Sequence, residues 1–174
     1  NSRVYHLNLA TGNYRSNIQI DKDLLHIALA GNISNGKGLN EFLKIVEALK
    51  VASPEKNFKF SIFGFDFEGA SFEIKNKVLA LDIELLTNLS EYSYIEKLKS
   101  VDVLINYRVN YYGETSLTTV DSLKFGCVNI VRKIGWFSEL PDELVYKVES
   151  VEEIEGILKH LVELNSEELL KLRT

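Results

Sequence analysis

Residues 25–49, LHIALAGNISNGKGLNEFLKIVEAL, change their pattern twice within one short stretch. The first seven form a compact apolar run ending in Gly31, as a strand covered on both faces of a parallel sheet would read. A polar turn, NISNGKG, follows. Leu39, Phe42, Leu43, Val46 and Leu49 then recur at three- and four-residue steps, which lays one apolar stripe along a helix. Pro54 stands where that helix should stop. Strand, turn and helix make one unit of an α/β fold.

The unit repeats along the chain. Strands are expected at 58–64, 83–86, 101–106, 128–132 and 144–148, with helices at about 71–80, 94–100 and 115–125 and a helical tail from 151 broken near 165–166. Alternation of this kind predicts an α/β, Rossmann-like, mostly parallel sheet of about six strands with helices on both faces. Residues 1–24 carry no clear period and read as an initial strand or interdomain linker, with 25–174 as the domain proper. In open sheets of this class ligands bind outside the carboxyl ends of the strands. That rule selects the loops at 31–38, 64–70, 86–91, 106–116 and 132–141.

Composition narrows the function. A chain of 174 residues, 45% hydrophobic, can bury one sizeable core. Its net charge of −5 argues against a sequence-blind nucleic-acid binder, which needs a basic face. A local basic pocket for one small anion is still compatible. Cys127 is the single cysteine, so no internal disulfide can form. No apolar run approaches the roughly 18 residues that a spanning helix needs. The chain holds no Met and opens on Asn1, which favours a segment of a longer protein.

Two of the selected loops carry unusual chemistry. In NYRVNYYGETS (106–116) a helix starting near Thr115 would point its free N–H groups into the loop, with roughly half a positive charge from the helix dipole. Thr115 and Ser116 add hydroxyls, and Gly113 lets the backbone come close to a ligand. The same residues also make an ordinary helix cap and a tight turn, so this loop alone leaves both readings open. Lys37, between two glycines on the same edge, could neutralise a phosphate oxygen or simply be solvated. The Walker and dinucleotide glycine spacings are absent.

The acids sort less cleanly. Glu114 and Asp121 are seven apart and would share a side if both lay on one regular helix. Asp121 could accept hydrogen bonds from a ribose diol. Asp66 and Glu68 imitate a metal-binding Asp-x-Asp, but no second ligand cluster accompanies them, and no metal site is expected. His6, His26 and His160 are isolated in sequence, and His26 reads as a satisfied core residue. A phosphorelay receiver would need an acidic cluster at the end of the first strand, which is missing.

AGNISNGKGLNEFLKIVEAL (30–49) resembles the first strand, turn and helix of the nucleotide-sugar-binding half of family 4 glycosyltransferases, of the GT-B fold. VDVLINYRVNYYGETSLTTVDSLKFGCVNIVRKIGWFSELPDELV (101–145) is similar to a second block of the same domain. It is closest to a subgroup with Gly-Glu-Thr-Ser before the helix and Gly-Trp-Phe-x-Glu-Leu-Pro after the next strand. The resemblance spans about residues 25–148.

It implies the donor-binding domain of a retaining transferase that moves sugar from a nucleotide-diphosphate sugar to a glycan or lipid-linked acceptor. Lys37 takes the place of the turn lysine on the donor diphosphate. Thr115, Ser116 and Leu117 match the amides that hold it. Glu114 matches the acid near the sugar, and Asp121 the acid on the ribose hydroxyls. Arg108 matches an arginine common in the subgroup. Gly31 and Asn32 fall on the donor side of the first turn, although many relatives carry a basic residue where Asn32 stands. Glu114 and Lys37 are the implied catalytic pair. The resemblance further implies that no cofactor or metal is needed and that no nucleic acid is bound. The acceptor would be held by an N-terminal domain, and the full enzyme would be cytoplasmic or peripheral to the inner face of a membrane. The alternative is a non-catalytic nucleotide-sugar-binding module, or one subunit of a two-chain transferase.

Overall fold

The computed structural model describes residues 24–54, 58–65, 72–164 and 166–173. The initial segment 1–23 and the Asp66/Glu68 loop lie outside the described residues. Six strands, β1 (Leu25–Gly31), β2 (Phe58–Gly64), β3 (Glu84–Leu86), β4 (Val103–Asn106), β5 (Val128–Arg132) and β6 (Val145–Val148), form one sheet in the order β3-β2-β1-β4-β5-β6. All five pairings are parallel, more uniform than the mostly parallel sheet expected.

Registry explains why the strands read as unbroken apolar runs. Ile27 lies opposite Phe60 and Val103, and these three face one side. That side packs on α1 (Leu39–Ala52), α2 (Phe72–Ala80) and α6 (Val151–Glu163) through Phe42, Val46, Leu49, Val78, Ile154 and Leu158. Ala28 and Leu104 face the other side, against Tyr94 and Leu98 of α3 (Glu91–Lys99). Both faces are covered, so alternation vanishes from the central strands. Phe42 and Ile27 are fully buried, and burying such a side chain contributes about 1.5–3 kcal/mol.

The remaining helices are α4 (Leu117–Lys124), α5 (Trp136–Glu139) and α7 (Ser166–Arg173). β4 starts two residues later than expected, and two helix starts differ by two residues or more. Helix α3 begins three residues earlier than expected, because the Ser90 hydroxyl accepts from the Ser93 amide. Helix α4 begins at Leu117 rather than Thr115. The short α5 and a 3₁₀ turn at Asn35–Lys37 have too few residues to show a period.

The strand order reverses direction between β1 and β4. Loops leaving these two strands run to opposite faces and open a crevice between them. The loops at 31–38 and 107–116 meet there.

Candidate functional site

Two backbone contacts lock the two loops together, and a third contact ties the first loop to α4. Val109 N–H donates to the Gly36 carbonyl at 3.1 Å. Gly38, in the left-handed region at φ 89°, passes so close to Tyr107 that an added Cβ would stand 2.1 Å from its carbonyl oxygen. Gly31, also left-handed at φ 104°, lies against Thr118, where a Cβ would be 2.7 Å from Oγ1. Glycine is favoured at 31 and 38 by both the positive φ and the lack of room. From the far side the Arg132 guanidinium donates to the Arg108 and Val109 carbonyls at 3.2 and 3.0 Å and lies over the Tyr107 ring.

The start of α4 is fixed from below. Asn106, the last residue of β4, donates from its buried amide to the Ser116 and Thr119 hydroxyls, both at 2.9 Å. The Ser116 hydroxyl in turn accepts from the Thr119 amide at 3.3 Å, which makes Ser116 the cap. This hydroxyl is therefore committed inside the protein and offers a ligand nothing. Thr115 lies outside the helix and is exposed, so its hydroxyl does not cap. Among the described residues, no hydrogen bond engages the amides of Leu117 and Thr118, the first two of the helix. Both project at the positive end of its dipole.

Where the 31–38 loop meets the loop that leads into α4, two cations and one carboxylate converge. Lys37 Nζ lies 3.2 Å from Glu114 Oε1, and the Arg108 guanidinium donates to the same oxygen. Tyr112 N–H donates to the other carboxylate oxygen at 3.0 Å. The three charges sum to +1. Hydrogen bonds from the amides of Glu114 itself and Tyr112, with smaller pulls from Lys37 and Arg108, hold the Glu114 pKa down at about 2. Arg108 is 5% exposed and stacks over the Phe137 ring at 5.5 Å. Burial lowers its pKa, and the Glu114 charge pulls it back up. Its buried Nε–H has no partner, an orphan donor that costs roughly 1–3 kcal/mol or more if left unmet.

Other expected residues sit further out. Glu114 precedes the cap, so the idea that it shares a helix face with Asp121 does not hold. Asp121 lies one turn into α4, pairs with Lys124 at 2.8 Å, and is close enough to Tyr94 to help raise its pKa, after burial. Asn32 is exposed at the rim, and Gly113 takes a left-handed φ of 90° facing open space. Sequence reading missed three residues. Asn106 was detectable as a polar end to an apolar strand. Arg132 and Thr118 carry no signal in isolation. Among the described residues, no three His, Cys, Asp or Glu side chains converge as a metal would need, and no helix is long and apolar enough to cross a membrane.

No protein-family model and no curated protein matches this chain. Solved structures do. The C-terminal domain of a glycosyl transferase group 1 family protein from Francisella tularensis superposes with a TM-score of 0.68 at 20% identity, over 86% of this chain and 80% of that one. The N-terminal domain of a trehalose-6-phosphate phosphatase from Candida albicans gives 0.70 at 11% identity, over 87% and 37%. A UDP-forming trehalose-phosphate synthase from Burkholderia xenovorans gives 0.65 at 12%, over 87% and 39%. The chain thus spans most of the first and about two-fifths of the others. At these identities the likeness establishes the fold alone: a Rossmann-like domain, as in one half of a GT-B fold.

Proposed function

We propose that this chain is the donor-binding domain of a retaining, family 4 glycosyltransferase that takes its sugar from a nucleotide-diphosphate sugar. One observation carries the reading. Lys37 and Arg108, from loops far apart in sequence, reach the same carboxylate oxygen directly before a helix whose first two amides are unengaged. A diphosphate placed there would meet two cations, two peptide N–H groups and the positive end of α4. As the glycosidic bond breaks, negative charge grows on the leaving phosphate. Fixed dipoles and cations aimed at it stabilise the transition state more than the ground state. Glu114 would face the sugar, and Asp121 the ribose. Gly31 and Gly113 would let backbone approach the donor closely. The glycan or lipid-linked acceptor would come from a second domain, and the whole enzyme would work in the cytoplasm or at the inner membrane face.

A thermal-shift screen of nucleosides, nucleoside diphosphates and their sugars tests this. Ligand at a hundredfold excess over Kd stabilises the folded state by about 2.7 kcal/mol, which for a domain of this size raises Tm by roughly 5–10 °C. Diphosphates and their sugars should shift Tm and free nucleosides should not. A flat screen would remove the donor-binding role.

A further inference from the structure

Glu114 holds the positions a diphosphate would need. Its Oε1 takes both available cations, Lys37 and Arg108, and its Oε2 takes the Tyr112 amide at 3.0 Å. One carboxylate therefore occupies the mouth of the anion site while two amides of α4 and the buried Arg108 Nε–H are left unmet. That arrangement is half-satisfied: one internal acid offsets only one of the two cationic charges, and donors remain for something larger and more charged.

We propose that the Glu114 carboxylate is a built-in competitor that closes the anion site until a diphosphate displaces it, a device that rests on the donor-binding reading above. Protonation cannot open it, because the Glu114 pKa of about 2 keeps the acid ionised throughout the physiological range. Only a stronger anion can. A pyrophosphate group brings more charge and more oxygens than one carboxylate, so it can satisfy Lys37, Arg108 and the α4 amides together. The exchange releases Glu114 from both cations. Its short tether to Tyr112 N–H keeps it at the rim, where the sugar of a bound donor would extend. An empty site thus keeps one of its two cationic charges offset, and the acid becomes free only once donor has bound. Self-competition also lowers apparent affinity by the fraction of molecules already open.

The test is calorimetric titration of inorganic pyrophosphate into the wild-type chain, Glu114→Gln, Glu114→Asp and Lys37→Ala. Gln keeps an oxygen for the Tyr112 amide, so the loop retains its anchor while the charge is lost. Asp keeps the charge but is one methylene too short to reach both cations. Both Glu114 variants should bind pyrophosphate roughly tenfold more tightly than wild type, and Lys37→Ala more weakly. Tighter binding by Gln alone would mean that long-range charge, not occupancy, is responsible, and would overturn the proposal. So would unchanged or weaker binding by both Glu114 variants, and if Lys37→Ala still lost affinity the anion site itself would stand. Failure of every variant to bind would overturn the site and the competitor together.

Discussion

Two polar clusters sit near opposite ends of the central strands, one buried and one partly open, and they differ in whether every group has a partner. Near the start of β1, the His26 Nδ1–H donates to the Ser100 carbonyl at 2.7 Å and Nε2 accepts the Ser61 hydroxyl at 2.8 Å. The His26 amide donates to the Asp102 carboxylate at 2.9 Å, and the Asp102 amide returns a bond to the His26 carbonyl. A carbonyl only accepts, so Nδ1 carries a proton, and burial lowers the ring's pKa, which favours the neutral form in which Nε2 accepts. At the carboxyl end, Lys37, Arg108 and Glu114 are charged, open on one side, and leave an Arg108 N–H and two helix amides without partners. A complete network holds a fold together. An incomplete one, at the crevice where parallel sheets bind ligands, is shaped for a guest.

The sharpest way to break that contrast is to remove one member from each cluster. His26→Leu strands the Ser61 hydroxyl and the Ser100 carbonyl, and should cost about 2–4 kcal/mol in denaturant unfolding. Pyrophosphate affinity of its folded fraction should not change. Lys37→Ala should do the reverse. Nucleoside-diphosphate binding weakens by about 2 kcal/mol in calorimetry, roughly thirtyfold, because a charge-assisted bond is lost. Stability should move by no more than about 0.5 kcal/mol, since the pair is partly solvated. If His26→Leu weakened binding, or Lys37→Ala unfolded the chain, the division between the two clusters would fail.

Acid sharpens the comparison further. With its folded pKa lowered, His26 takes up a proton more readily in the unfolded chain than in the folded one. Its contribution to stability is complete above about pH 6.5 and is lost as pH falls from there toward the folded value, at no more than about 1.4 kcal/mol per pH unit. Glu114 has a lowered carboxyl pKa, so any linked loss begins only below its ordinary value of 4.5, as pH falls toward about 2. Unfolding curves between pH 6.5 and 5 should therefore flatten in His26→Asn and keep the wild-type slope in Glu114→Gln. Equal slopes in all three proteins would contradict a neutral buried His26.

The smallest effect concerns the far side of the crevice. Asp121→Ala should lose about 1 kcal/mol of affinity for a nucleoside diphosphate and less for pyrophosphate, if the acid meets the ribose. Equal losses for the two ligands would place Asp121 away from the nucleoside and leave it as the partner of Lys124.

Much of this was legible in the sequence, and the exceptions have physical causes. LHIALAG and VNIVR read as strands because burial on both faces removes alternation and leaves pure apolar runs. Lys37 could be placed because two glycines and a helix stripe bracket it. The cap of α4 was misplaced because Thr115 and Ser116 are equally good capping types. What decides between them is Asn106, which reaches the Ser116 hydroxyl from the end of β4. The pairing of Glu114 with Lys37 spans 77 residues and depends on strand order, which no local pattern encodes. Thr118 and Arg132 act through contacts with residues far away in sequence, Thr118 against Gly31 and Arg132 on Tyr107 and the Arg108 and Val109 carbonyls.

Amide nitrogen–proton NMR of the labelled chain during a pyrophosphate titration addresses the anion site at its source. The Leu117 and Thr118 signals should shift to saturation with a single midpoint, together with the Arg108 Nε–H, while the His26 and Asp102 amides stay in place. Saturable binding that leaves the Leu117 and Thr118 signals unmoved would contradict the claim that this helix end grips the diphosphate.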